Sequence, residues 1–353
     1  MKKKLTTITA SIAALSVAAI AGMSTAAIAQ DLTIVGWGGT TQAAHKPAYF
    51  EPFMKETGIN VIEDEWNGEL AKIRAMVETG NVTWDVVQVE GPEVDQGCAE
   101  GLFEELDWSR ITDKANMVDG TVKECGAGIL IWSVIFAYDG DKITGDAPQN
   151  WADFWNVDKW PGKRGMRRGA KPMLEIALMA DGVAKEDVYN VLSTPEGVDQ
   201  AFAKLDELKP NILWWKAGAE PQQRLGAGDV AMTAAYNAWV YRIADEEGRN
   251  FKMVWDGNQY STDYWTIIKG TKNLDSAYKF LELSMRPDRQ AVFFNKVTYG
   301  WTAKGTGEFV DKKVLQHLPT YGSNMDNALE TSGAFWLENG ESLEKRFQAW
   351  VSK

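Results

Sequence analysis

The chain has 353 residues, 24% of them charged, a formal net charge of −12, and only two histidines and two cysteines. An acidic surface repels phosphate backbones and favours cations, which argues against a nucleic-acid partner, although solubility alone also accounts for the charge. Two cysteines 27 apart, with only His45 and His317 beside them, do not make a zinc site, so neither a metal nor a cofactor is expected.

Lys2, Lys3 and Lys4 precede an apolar run from about Ile8 to Ile20, and Ala27-Ile28-Ala29 supplies the small-residue pattern of a cleavable signal peptide over residues 1–29. No later stretch approaches roughly 18 consecutive apolar residues, the length of a membrane span. With no cysteine near the junction to acylate, a freely soluble periplasmic protein is expected rather than a lipoprotein. Loss of three lysines and no acid takes the charge from −12 to −15. The remaining chain of about 320 residues exceeds what one core usually serves, so two lobes are expected. Cys98 and Cys125 are then carried into an oxidising compartment and are read as a disulfide.

Leu32 to Val35 is a β-rich run ending in Gly36-Trp37-Gly38-Gly39, followed by a helical stretch through Pro47, Phe50 and Phe53. Ile59-Asn60-Val61-Ile62 reads as a second strand and Trp84 to Val89 as a third, with a helix from about Leu70 to Glu78 between them. Such alternation signals a parallel sheet with helices on both faces. Ligands of such sheets contact residues just past the carboxyl ends of strands, here Trp37 and Glu90. Gly128 to Tyr138 is an apolar strand containing Trp132, long enough to pass between lobes. Helical patterns follow at 174–179, 186–192 and 195–209, then a strand 230–235 ending at Tyr236-Asn237, a strand 264–268 and a helix 275–285 before Pro287. No internal repeat or disordered linker is visible.

Leu32–Val35 with Trp37, and then Phe53-Met54-Lys55-Glu56-Thr57-Gly58-Ile59-Asn60-Val61, resemble the opening of the periplasmic spermidine/putrescine-binding family. The similarity continues through Trp84-Asp85-Val86-Val87, Trp151-Ala152-Asp153-Phe154-Trp155, Tyr278-Lys279-Phe280-Leu281, Arg286-Pro287 and Tyr299-Gly300-Trp301-Thr302. The resemblance implies an α/β chain with the type II periplasmic-binding-protein fold, two α/β lobes joined by hinge strands that close on a ligand. It implies a first lobe of 30–134 with 264–309 and a second of 135–263 with 310–353, with crossings near Ser133–Phe136 and Asp263–Thr266. It also implies a monomer that delivers its ligand to the permease subunits of an ABC importer.

Aromatic faces attract ammonium groups, and the chain has 16 tryptophans. By position in the family pattern, Trp37, Tyr236 and Tyr299 match cleft walls and Asp263 matches the acid that pairs with a ligand amine. Trp132 and Trp336 are open between cleft wall and half-buried core. Where polyamine binders carry a second acidic pair, this chain reads Arg167-Arg168-Gly169-Ala170-Lys171. A guanidinium there, Arg168, suits a carboxylate rather than a second ammonium, while a surface or Glu175-paired arginine is the plain alternative. Glu90 stands where the family has a small hydroxyl residue. The expected ligand is a polyamine, with a zwitterionic ω-amino acid such as 4-aminobutyrate as the alternative. An enzyme finds no support, since no G-x-S-x-G or H-E-x-x-H motif is present, though a carboxylate-dependent hydrolase and a carbohydrate binder stay open.

Overall fold

The computed structural model describes residues 31–218 and 220–353, so the expected signal peptide lies outside the described residues. Among these, nine strands form one mixed sheet: β1 (Leu32–Gly36), β2 (Val61–Glu65), β3 (Val86–Glu90), β4 (Ala127–Asp139), β5 (Arg164–Arg167), β6 (Ile212–Trp215), β7 (Met232–Tyr236), β8 (Phe251–Ile267) and β9 (Leu329–Glu330). The order is β2-β1-β3-β8-β4-β7-β5-β6, with β9 beside β8.

Each half of this order has the same plan. β2-β1-β3 run parallel and meet β8 antiparallel; β6-β5-β7 run parallel and meet β4 antiparallel. The repetition is in topology, not sequence, which is why no repeat is legible along the chain. β4 and β8 are long because they serve both halves, pairing with each other along almost their whole length. Near one end Asp263 pairs with Leu130; at the other, Phe251 pairs with Asp139.

Apolar burial follows the two halves. One cluster, around Ile34, Phe53, Val86, Trp265, Phe280 and Phe294, runs on through Val310, Val314 and Leu318. The other, around Phe136, Trp151, Phe154, Met166, Leu178 and Leu205, is joined by Leu329, Phe335 and Phe347 from the C-terminal segment. Trp132 packs against both clusters and so sits at their junction.

Two strands differ from their sequence patterns. β2 begins at Val61, because Gly58 ends the preceding helix with a left-handed φ of 73° and the ladder aligns Val61 with Leu32. β8 reaches back to Phe251 rather than starting at Tyr264; the polar run Trp255-Asp256-Gly257-Asn258 falls between Val254, opposite Phe136, and Gln259, opposite Val134. That bulge interrupts the apolar pattern on which a strand is recognised.

Cys98 and Cys125 are disulfide-bonded, with Cα atoms 5.8 Å apart, tying the end of helix Gly91–Ala99 to the entry of β4. Replacing both with serine is expected to lower unfolding free energy by about 3 to 4 kcal/mol in the chain-entropy account of a loop this long. Urea denaturation of the two proteins measures it, and an unchanged midpoint would contradict it.

Candidate ligand-binding site

The strand directions place the site. β3 runs parallel to β4 and β7 runs against it, so the carboxyl ends of β3 and β7 face each other. Glu90, last in β3, is opposite Asp263, which is opposite Leu130; Tyr236, last in β7, is opposite Val134. The two strand ends are therefore four residues apart along β4, about 13 Å at the usual rise. Because side chains alternate, Gln88, Glu90, Asp263, Leu130, Trp132 and Tyr236 share one face of the sheet. Trp37 enters this space directly after β1. The turn behind it needs glycine: Gly38 has φ 75°, and a Cβ there would lie 2.6 Å from the Glu65 carboxylate.

Asp263 is the centre of the cluster. One carboxylate oxygen, Oδ2, accepts from the Trp37 indole at 2.9 Å and from the Gln88 amide at 2.8 Å. The other, Oδ1, is buried and makes no hydrogen bond among the described residues. A buried carboxylate oxygen left unpaired is costly, and an ammonium is its natural complement. Burial first, then the neighbouring Glu90 carboxylate, pushes the Asp263 carboxyl up to about 8, with the side-chain donors of Gln88, Trp37 and Trp132 pulling the other way.

Aromatic rings frame that oxygen. Trp37 is half-buried and stacks on Trp66 with centroids 5.1 Å apart, and the Trp66 indole donates to the Gln88 carbonyl at 2.9 Å. Trp132 meets Tyr236 edge-on at 5.6 Å. Tyr299 is held beside β4 because Gly300 exchanges backbone hydrogen bonds with Ile131 at 2.7 and 2.9 Å. Asn237, just after Tyr236, donates to the Thr298 carbonyl at 2.5 Å and accepts from the Ser133 amide at 3.3 Å, bracing both tyrosines. Burial raises both hydroxyls; Tyr299 is pushed up to about 12, with Asp263 adding to the rise and Arg242 opposing it.

Arg242 has no signal in the sequence. It lies on helix Asn237–Glu247, half-buried, with its guanidinium stacked over Trp239 at 4.2 Å and its Nε buried without a partner. It lines a groove of about 560 Å³ with Thr40, Thr41, Trp239 and Tyr299. Tyr299 thus feels both an acid, Asp263, and a guanidinium, Arg242. Gln88 also escapes sequence reading, though a lone glutamine within Val86-Val87-Gln88-Val89 is the kind of polar break that marks a site.

The other expected residues are placed as follows. Arg168 follows β5, half-buried; its amide donates to the Trp215 carbonyl at 2.8 Å, and its side chain makes no ion pair among the described residues. Its neighbour Arg167 is the guanidinium that bears on Tyr236. Trp336 is tied to a different acid: its indole donates to Glu175 at 2.6 Å. Trp37, Glu90, Trp132, Tyr236, Asp263 and Tyr299 come together.

The family described as bacterial extracellular solute-binding protein matches residues 48–317. The chain belongs to that family. It is 51% identical over 324 residues to the gamma-aminobutyric acid-binding protein of Pseudomonas aeruginosa, covering 92% of each chain. The solved structure of the Atu4243 GABA receptor superposes with a TM-score of 0.80 at 34% identity, covering 92% of this chain and 98% of that one. The spermidine/putrescine-binding periplasmic protein of Escherichia coli K12 is 23% identical over 251 residues, 69% of this chain and 70% of that one. The fold is that of the periplasmic binding proteins, and this solute-binding protein is the substrate-binding component of an ABC transporter, a role filled by binding rather than turnover. Its family acts outside the cytoplasm, in extracellular or periplasmic space.

The raised Asp263 carboxyl gives binding a pH signature. Below about 8 the ligand-free carboxyl holds a proton that an arriving ammonium must displace. Affinity for an amine is expected to rise from pH 6 to pH 8 with proton release, then level off until the amine itself deprotonates near about 10. Calorimetry at pH 7 in two buffers of different ionisation enthalpy reads the proton directly; identical heats would contradict it. The same group affects the ligand-free fold: its contribution is full below about pH 3.9 and lost as pH rises through its raised value.

Proposed function

We propose that this solute-binding protein captures a zwitterionic ω-amino acid of the size and charge of 4-aminobutyrate and presents it to the permease subunits of its transporter. The observation that carries the reading is a pair of charged groups that both act on Tyr299 and each keep a buried polar atom with no partner among the described residues: Oδ1 of Asp263 and Nε of Arg242. An ammonium on the first and a carboxylate on the second complete both, with Trp37, Trp132, Tyr236 and Tyr299 enclosing the methylene chain. Arg168 is the second candidate for the carboxylate end. The relative at 51% identity carries gamma-aminobutyric acid in its name, which supports the same chemistry.

The polyamine expected first from the sequence ranks behind this reading. Its support is the acid and aromatic wall and the relatives at 23% identity, while an unpaired guanidinium opposes a second ammonium. The lobes are taken as 30–134 with 264–309 and 135–263 with 310–353, except that Val310, Val314 and Leu318 pack into the first lobe's core, hinged on β4 and β8, in a monomer exported by residues 1–29. Closure is then ligand-driven, with the cleft wider when empty. Mass spectrometry of small molecules released on denaturing the purified protein is expected to find a compound bearing both an amine and a carboxylate; a diamine in its place would overturn the reading.

A further inference from the structure

Away from Asp263, two more buried carboxylate oxygens lack a partner among the described residues, and the charge of one ammonium bears on both. Helix Gly91–Ala99 starts at the end of β3 in the first lobe, and in its first turn Glu93 is half-buried with Oε2 enclosed and unpaired. In the second lobe, Glu175 of helix Met173–Ala180 is fully buried. Its Oε1 accepts from the Trp336 indole at 2.6 Å and the Tyr189 hydroxyl at 3.1 Å, but its Oε2 accepts from nothing among the described residues. Lys171, just before that helix, is half-buried and makes no ion pair among the described residues. Its charge acts on both carboxyl groups, lowering each against the rise caused by burial.

The lobes already touch at this point. A Cβ on Gly333, which opens the C-terminal helix, would lie 3.0 Å from the Pro92 side chain and 3.2 Å from its Cα. A side chain there would push that helix start and the helix carrying Glu93 apart by about a few tenths of an ångström. An ammonium has three donors and no acceptor, so one lysine can serve Glu175 from its own lobe and Glu93 from the other.

We propose that Lys171 is an interlobe catch, anchored on Glu175 in the second lobe and closing on Glu93 of the first, that sets how long a ligand stays trapped. None of the three residues needs to touch the ligand. They act by positioning the lobes: when the cleft opens, Glu93 leaves with the first lobe into water, and the pair exists only in the closed state. Truncating one partner of an enclosed charged pair acts mainly on dissociation.

The test is stopped-flow tryptophan fluorescence with 4-aminobutyrate on the wild type, Lys171→Met, Lys171→Arg, Glu93→Gln and the Lys171→Met/Glu93→Gln double variant. Lys171→Met and Glu93→Gln are each expected to release ligand about tenfold faster or more, with association within about twofold. The double variant should be no faster than either single one, since both remove the same contact, and Lys171→Arg should keep a rate near the wild type. Unchanged dissociation in the single variants, or effects that multiply in the double, would overturn the catch. It does not depend on the ligand being 4-aminobutyrate. The second arm repeats the measurement with putrescine, which closes the same two lobes: the single variants should again release it about tenfold faster or more, and equal dissociation rates would overturn the proposal even if 4-aminobutyrate fails to bind.

Discussion

Asp263→Asn is expected to weaken 4-aminobutyrate binding by roughly 30-fold or more, because removing one member of an enclosed charge pair costs about 2 to 5 kcal/mol. The geometry explains why so small a change is so costly. The asparagine carbonyl can keep accepting from Trp37 and Gln88, as Oδ2 does at 2.9 and 2.8 Å. Its amide nitrogen then occupies the place of the free Oδ1 and turns a donor, not an acceptor, toward the ligand ammonium. The ligand-free protein should not lose stability. Asp263 is a buried acid beside Glu90 whose carboxyl keeps its proton near neutral pH, so a neutral amide is expected to leave the melting temperature about equal to the wild type there and to raise it above pH 8, where the wild-type carboxyl would have to ionise. Calorimetric titration together with a thermal melt separates lost recognition from lost folding. An affinity within threefold of the wild type would place Asp263 outside the site.

Arg242→Ala is expected to divide ligands by charge. Loss of the guanidinium removes the partner of a carboxylate, so 4-aminobutyrate should weaken by about 30-fold or more. Putrescine, which has an ammonium at that end, should bind equally well or more tightly once the repulsion is gone. Trp239 keeps its place, so the groove wall on which Arg242 stacks at 4.2 Å stays in position. Arg168→Ala is the informative companion. Since its side chain makes no ion pair among the described residues, its loss should change 4-aminobutyrate affinity by less than about threefold if Arg242 holds the carboxylate. Equal, small effects of both substitutions on both ligands would remove the carboxylate clamp from the account.

What could be read from the sequence was what short-range pattern carries. Trp37 and Glu90 were legible as candidates because each ends or follows an apolar run that folds as a strand, and strand ends line the clefts of such sheets, while Tyr236 came from its position in the family pattern. The length of β8 was not legible, since its bulge at Trp255–Asn258 reads as a loop until β4 is laid beside it. Arg242 was invisible for a different reason: a charged residue on an amphipathic helix normally faces solvent, and only the approach of Tyr299 from 57 residues further on makes it a cleft group. Trp336 illustrates the converse. Its position left it open between cleft wall and half-buried core, and its indole donates to Glu175, an acid that no periodicity connects to it.

The most direct test of the central claim is side-by-side calorimetric titration of the ligand-free protein with 4-aminobutyrate and putrescine at pH 8, where the Asp263 carboxyl holds about half its proton. The pairing of a free carboxylate oxygen with a free guanidinium predicts that 4-aminobutyrate binds at least about tenfold more tightly than putrescine; tighter binding of putrescine would contradict it.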